Sequence, residues 1–332
     1  MENLKLIGLE EHFLTRNFLE GPGLSLKKQA QSSNAHVASR YTRLIDQLCD
    51  LDKGRIAEMD AAGVDVQVLS LHSPGVEQLD PAEAVTLARN TNDQLAEALK
   101  RHPDRFIGLA TLPAIVPDAA VSELKRTVKD HGFRGAVING HIRGRYLDDQ
   151  FFWPILKCAA ELCVPIYLHP APPPQPVIET YYTGNFAPEA GWQLASPAWG
   201  WHIETAVHTL RLILSGAFDR YPDLQLIIGH LGEALPFMLP RLNITLPREV
   251  TGLDRSIGEY LRQNVHYTIS GFNFTATFLD LFLQVGIDRI MFSADYPWGS
   301  MLEARAFLEQ LPISPSDKLR IAHSNAEHLL RL

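Results

Sequence analysis

Eight short runs rich in Val, Ile and Leu recur along the chain, most of them followed by apolar residues at helical spacing. This alternation constrains the fold more than any other feature. The runs span residues 4–9, 64–72, 106–112, 133–139, 165–169, 224–230, 264–270 and 289–294. Helical spacing covers 42–62, 81–101, 116–129, 149–162, 204–215, 235–249 and 275–285, with a last pair at 301–310 and 316–330. Parallel strands buried on both faces read as near-continuous apolar runs, as Gln225-Leu226-Ile227-Ile228-Gly229 and Ala136-Val137-Ile138 do. Eight such βα units predict an α/β fold of the (β/α)8 TIM-barrel type. The competing doubly wound sheet lacks its usual mark, since no Gly-x-Gly-x-x-Gly follows the first run.

The barrel takes up residues 1–332 as a single domain with insertions after strands one and five, at about 13–41 and 170–203. The first contains Gly21-Pro22-Gly23 and no sustained period, and reads as a long loop of the kind that forms lids and binding loops. The second opens with Pro170-Ala171-Pro172-Pro173-Pro174 and carries Tyr181, Tyr182, Trp192, Trp199 and Trp201. That aromatic load suits a ligand-facing or subunit-facing segment and not an inert linker.

With 46% hydrophobic and 20% charged residues the chain has apolar content for one large core. Its net charge of -8 gives no electrostatic reason to expect nucleic acid or an anionic membrane as a partner. No run approaches the roughly 18 apolar residues of a membrane span, and no signal-peptide pattern opens the chain. The three cysteines, Cys49, Cys158 and Cys163, lack Cys-x-x-Cys spacing, which argues against a disulfide framework or a thiolate zinc site and for a cytoplasmic location.

In a parallel barrel the site lies at the C-terminal ends of the strands. Glu10 and His12 stand at the end of strand one, two apart and therefore on one face. His72 ends strand two, His141 follows strand four, His169 ends strand five, His230 ends strand six and Asp295 ends strand eight. Any one of these histidines alone reads as structural. Together they describe one rim, and imidazole and carboxylate ligands suit a divalent ion such as Zn2+ or Mn2+. Glu233, three residues after His230 at a strand-to-helix junction, is placed either to orient that imidazole or to cap the helix.

Glu10-x-His12, Tyr167-Leu168-His169-Pro170, Gly229-His230-Leu231-Gly232-Glu233, Phe292-Ser293-Ala294-Asp295-Tyr296-Pro297 and the closing Asn325-Ala326 with Leu329-Leu330 resemble the amidohydrolase superfamily. More narrowly they resemble its metal-dependent, non-oxidative decarboxylases of aromatic acids, from about Leu6 to Leu330. Most hydrolytic members open with His-x-His, whereas Glu10-x-His12 is similar to the decarboxylase branch. The resemblance implies Glu10, His12, His169 and Asp295 as ligands of one divalent metal, with His230 and Glu233 a hydrogen-bonded pair behind them. It implies Asp295 as the acid that protonates the ring, its protonation state set by the pair.

Substrate contacts are less defined. Arg241 matches an arginine that relatives use near the substrate, sometimes across a subunit interface, and Arg55 is a second candidate. Phe13, Trp199, Tyr296 and Trp298 are candidates to sandwich a ring, and His72 and His141 to meet its hydroxyls. His266 reads as a core histidine, and His202 and His208, among others, receive no chemical role. Glu11 is expected to point away from the site.

The expected function is reversible decarboxylation of an ortho-hydroxylated aromatic acid such as a dihydroxybenzoate. The alternatives are a metal-dependent hydrolase of a lactone or amide on the same fold and an inactive barrel used as a binding scaffold. Relatives imply a homodimer or homotetramer.

Overall fold

The computed structural model describes residues 4–332. Strand β1 (Ile7–Phe13) is followed by α1 (Arg16–Leu19), α2 (Leu24–Ala30), α3 (Ala35–Cys49) and α4 (Lys53–Ala62) before β2 (Val66–Leu71). Next come α5 (Pro81–Arg101), β3 (Phe106–Gly108 resuming at Ala110–Thr111), α6 (Pro117–His131), β4 (Ala136–Asn139), α7 (Trp153–Leu162) and β5 (Ile166–His169). The second insertion holds α8 (Gln175–Tyr181) and α9 (Pro188–Ala195), and leads into α10 (Gly200–Leu214) and α11 (Ala217–Arg220). The remainder is β6 (Leu226–Ile228), α12 (Leu235–Thr245), α13 (Arg248–Thr251), α14 (Ile257–Gln263), β7 (Val265–Thr268), α15 (Thr275–Val285) and β8 (Ile290–Met291). It ends in α16 (Met301–Gln310), α17 (Pro315–Leu319) and α18 (Asn325–Leu330).

Every strand pairs in parallel with its sequence neighbour. Across the break in β3, Leu109 N donates to Leu69 O and Ala110 N to Gly135 O, so the ladder changes partner without losing its bonds. The ring closes where Leu9 N donates to Phe292 O at 3.1 Å and His12 N to Tyr296 O at 2.8 Å, joining β1 to the extension of β8. The expected TIM barrel is therefore observed, and it matches the strand count read from the sequence.

Inside the ring, Ile7, Leu9, Val68, Val137, Tyr167, Ile227 and Met291 form one apolar cluster. Ala326, Leu329 and Leu330 of α18 join this cluster, so the closing helix packs on the barrel interior. A larger cluster lies between the strands and the surrounding helices. Burial of this kind, about 25 cal/mol per Å² of apolar surface, is the main favourable term in holding the scaffold rigid.

β1 carries the detail that positions the site. Ile7 pairs with Val66, yet Glu11 pairs with Leu69, so a bulge inserts one residue between Gly8 and Glu11. Below the bulge Ile7 and Leu9 face the barrel interior, and above it Glu10 and His12 do. A bulge of this type re-aims side chains by shifting the strand's parity. Ser293 satisfies the freed backbone groups, its Oγ accepting from Glu10 N at 2.9 Å and donating to Glu10 O at 3.1 Å.

The first insertion departs from expectation. Residues 13–41 are mostly helical, in α1, α2 and the start of α3, where a long loop was expected. Local side-chain caps begin α1 and α3: Thr15 Oγ1 accepts from Phe18 N, and Asn34 Oδ1 from His36 N and Val37 N. The helix expected over 42–62 is divided at 50–52, where the Asp50 carboxylate accepts from Asp52 N at 2.8 Å.

Candidate active site

Four polar side chains converge at the C-terminal mouth of the barrel. One ligand atom each from Glu10, His12, His169 and Asp295 lies within 4.8 Å of all the others. His12 Nε2 is 3.2 Å from Asp295 Oδ1, and His169 Nε2 is 3.2 Å from Glu10 Oε1. Glu10 Oε1 and His12 Nε2 are buried and have no hydrogen-bond partner. Buried polar atoms are ordinarily paired, so orphaned atoms aimed at a common point fit a divalent cation, and two imidazoles with two carboxylates suit zinc or manganese.

Supporting contacts fix three of the ligands, Glu10, His12 and Asp295, while His169 Nδ1 is buried without a partner. The second oxygen of Glu10 accepts from the hydroxyls of Tyr167 and Ser270 and, at 3.1 Å, from Thr268, which leaves Oε1 free for the centre. His12 Nδ1 lies 3.3 Å from Ser70 Oγ. Glu11 points out of the site, as expected, and accepts from the backbone N–H of Ala294 at 2.9 Å and of Tyr296 at 3.0 Å. Those two amides flank Asp295, whose φ of 59° is in the left-handed region, so Glu11 holds the aspartate from behind in a conformation that L-residues otherwise avoid.

His230 stands beside this set, its Nε2 3.8 Å from Glu10 Oε1 and 3.9 Å from Asp295 Oδ2. Its Nδ1 is 2.8 Å from Glu233 Oε1, so the carboxylate orients the imidazole and does not serve as a helix cap. His230, Leu231, Gly232, Glu233 and Ala234 all have positive φ, a strained turn that carries both side chains back to the barrel mouth.

Sequence reasoning missed His202 on α10, whose Nδ1 lies 2.6 Å from the other oxygen of Glu233. No spacing rule marks it, because α10 is distant in sequence and only the second insertion brings it over the site.

Charges follow from this packing. Burial opposes ionisation of Glu10, but His230, His169 and His12 outweigh it and hold the carboxyl well below its ordinary range. Burial likewise works against charge on His230, and Glu233, Glu10 and Asp295 overcome it, so this imidazole is protonated well above the usual histidine range. Burial depresses His12, which suits a neutral ligand nitrogen. His72 is pushed down to about 3, first by burial and then by His12 and His169.

The cavity above these residues has a volume of about 670 Å3, and His72, Trp192, Trp201, Phe272 and Trp298 form much of its wall. Trp298 and His72 both line this cavity, their rings 5.4 Å apart.

Several expected contacts are corrected. Phe13 is fully buried in the helix-facing core, since strand alternation puts it on the face of Glu11, opposite Glu10 and His12. Arg55 is also fully buried behind β1, donating to His12 O and, at 2.8 Å, to Gln67 Oε1. Tyr296 lies beneath the Arg55 guanidinium, 4.6 Å from it, and does not line the cavity. His141 accepts from Gly144 N at 2.9 Å and also stays outside the cavity wall. Trp192 and Trp201 take the place expected for Trp199, which is half exposed. Arg241 lies exposed on α12 and does not reach its own chain's cavity.

A family model described as amidohydrolase matches residues 40–332. Gamma-resorcylate decarboxylase of Rhizobium radiobacter is 37% identical over 339 residues, covering 98% of each chain. The solved structure of 2,6-dihydroxybenzoate decarboxylase complexed with 2,6-dihydroxybenzoate superposes with a TM-score of 0.88 at 35% identity, covering 99% of this chain and 100% of that one. A 5-carboxyvanillate decarboxylase from Novosphingobium aromaticivorans, with bound manganese and 3-methoxy-4-hydroxy-5-nitrobenzoic acid, gives 0.90 at 35% identity, covering 99% and 97%.

Proposed function

Because this chain belongs to the amidohydrolase family, and the relatives above are decarboxylases, one of them solved with bound manganese, we propose that it removes carbon dioxide from an ortho-hydroxylated aromatic acid of the dihydroxybenzoate class. The observation that carries this reading is the convergence of Glu10, His12, His169 and Asp295 beneath an aromatic-walled cavity, with His230 Nε2 3.9 Å from Asp295 Oδ2. Hydrolysis of a lactone or amide is not favoured, since the relatives above are decarboxylases.

Glu10, His12, His169 and Asp295 would hold a single divalent ion, Zn2+ or Mn2+, which would supply a template and Lewis acid for an acidic substrate. The protein's own groups handle the proton. In the free site burial favours the neutral acid at Asp295, but His12 and His230 outweigh it and keep the group low, so the available proton resides on His230. An arriving substrate carboxylate adds negative charge and raises the proton affinity of Asp295. The proton then passes from His230 to Asp295 and on to the ring carbon that bears the carboxylate. The carbon–carbon bond breaks as its electrons restore the aromatic ring, and carbon dioxide leaves. Glu233 steadies the imidazole in both charge states. Trp298 and His72 contact the ring and its substituents.

A cytoplasmic location and a homodimeric or homotetrameric state are part of the same proposal, the second supported by the exposed Phe237, Met238 and Ile244 of α12. Among the described residues Cys49, Cys158 and Cys163 are unpaired, and no helix is long and apolar enough to cross a membrane.

The test is carbon dioxide release from 2,6- and 2,3-dihydroxybenzoate, salicylate and 5-carboxyvanillate by protein loaded with Mn2+ or Zn2+. Asp295→Asn is expected to abolish turnover while a ring nitro analogue still binds. Turnover of lactones with no carbon dioxide from any acid would overturn the assignment.

A further inference from the structure

Glu233 has two carboxylate oxygens, and only one of them serves His230. Oε1 lies 2.8 Å from His230 Nδ1, while Oε2 lies 2.6 Å from Nδ1 of His202. All three side chains are buried, Glu233 to within 1% of full burial, so bulk water does not compete for either oxygen. These are direct hydrogen-bond distances, so the three groups satisfy one another without an ion between them. The two imidazole rings are 4.7 Å apart, and the edge of Phe272 packs against both, at 5.2 and 5.3 Å between centroids.

We infer that His202 is a positioning residue for the reaction: by anchoring the second oxygen of Glu233 it fixes the carboxylate, and through it the direction in which His230 presents Nε2 to Asp295.

The backbone gives Glu233 little independent hold. It sits in a turn in which five successive residues have positive φ, and among the described residues its side chain has no hydrogen-bond partner other than the two histidines. With one anchor a carboxylate can rotate about its terminal torsion, which is broad. With two, its plane is set.

His202 also ties this pair to the cavity wall. It is the third residue of α10, and its Nε2 lies 3.0 Å from the carbonyl oxygen of Pro197. Ser196, Pro197 and Trp201 line the cavity, so the segment that meets substrate and the imidazole that steadies Glu233 are one continuous piece of chain. A shift of that segment on substrate binding is transmitted to His230 through two hydrogen bonds. The histidine therefore couples the seating of substrate to the orientation of His230.

The inference rests on the decarboxylase reading above, and two measurements separate the fate of one from the other. In steady-state kinetics on whichever acid the wild type turns over, His202→Ala should lower kcat roughly 10- to 100-fold, the usual effect of losing a residue behind a metal site's ligands. KM should stay within about threefold, and metal content should remain one ion per chain. His202→Asn, which keeps an N–H donor near the position of Nδ1, should recover a large part of kcat. A kcat within twofold of wild type in His202→Ala, or an equal loss in both variants with normal folding, would overturn the inference.

The second measurement needs no substrate. In the proton spectrum of the zinc-loaded protein, carboxylate-bound imidazole N–H signals of His202 and His230 should appear far downfield. His202→Ala should remove one and displace the other. An unmoved His230 signal would overturn the positioning role even if no acid is turned over. If His202→Ala does not fold, the same spectrum of His202→Leu, which fills the space without a donor, decides in the same way: a displaced His230 signal supports the role and an unmoved one overturns it.

Discussion

At the scale of single residues, adjacent glutamates on one strand have opposite duties. Glu10 offers an orphaned oxygen to the metal centre, whereas both oxygens of Glu11 are taken by the amides of Ala294 and Tyr296. Glu10→Gln is expected to lower metal affinity by at least roughly 10-fold, measured as ion content after dialysis. Glu11→Gln should keep one ion per chain but lower stability by about 1–3 kcal/mol, because one amide would then face an NH2 group in place of an acceptor. Loss of metal in the second variant with a normal melting temperature would contradict this division. Away from the site, His208 is fully buried and its Nε2 accepts from Leu147 N at 2.8 Å. Burial, helped by Arg211, pushes it down to about 3 against 6.5. A histidine with a depressed folded pKa contributes stability that is complete above 6.5 and lost as pH falls from 6.5 toward 3. Glu77, raised to about 8 by burial, works in the opposite sense, so the wild-type curve alone mixes the two. The difference between wild type and His208→Gln isolates the histidine. On lowering the pH from about 6.5 to about 5, wild type should lose roughly 1.5–2 kcal/mol more than the variant in denaturant melts, and parallel curves would refute it.

At the scale of elements, the strands were legible because parallel barrel strands are apolar throughout, and Leu226–Ile228 and Ala136–Asn139 appear where the runs predicted them. The helices of the first insertion were not. They are short, set by local caps at Thr15 and Asn34, and have few buried residues to impose a period. The bulge in β1 was equally hidden, since a one-residue shift of parity leaves no mark in composition; Phe13, by contrast, follows from the alternation that puts Glu10 and His12 on the site face. The meeting of β1 and the end of β6 gives an element-level prediction. A Cβ added at Gly229 would lie 2.5 Å from Glu10 Oε2 and 3.2 Å from the Tyr167 hydroxyl. Gly229→Ala should therefore displace the Glu10 carboxylate and weaken metal binding while the barrel still folds. Isothermal titration with Mn2+ is the check, and wild-type affinity in a folded variant would show that the strand ends have room to yield.

At the scale of the whole molecule, a barrel gathers its strand ends whatever their separation in sequence, which is why residues 10, 12, 72, 141, 169, 230 and 295 read as one rim, while the resemblance to the amidohydrolase superfamily narrowed that rim to the ligands 10, 12, 169 and 295. His202 and the fates of Arg55 and Arg241 were not readable, because they depend on how helices and insertions pack around that ring. Arg241 leads to the last prediction. It is exposed on α12 beside Phe237, Met238 and Ile244, which are 77%, 43% and 73% exposed, and it does not reach the cavity of its own chain. An apolar helix face of that kind is commonly an interface, and the proposed oligomer would let Arg241 enter a neighbouring cavity. Light scattering should give two or four times the 37.1 kDa chain mass. Arg241→Ala should then raise KM in every site, and Asp295→Asn should be inactive. Mixed oligomers of the two variants decide the geometry. If Arg241 acts across the interface, a mixed pair contains one site with both Asp295 and a neighbour's Arg241, and wild-type KM returns in that site. If Arg241 acts within its own chain, no mixed site has both residues, and only the high-KM activity of the Arg241→Ala chains remains. A monomeric mass would exclude the cross-interface role outright.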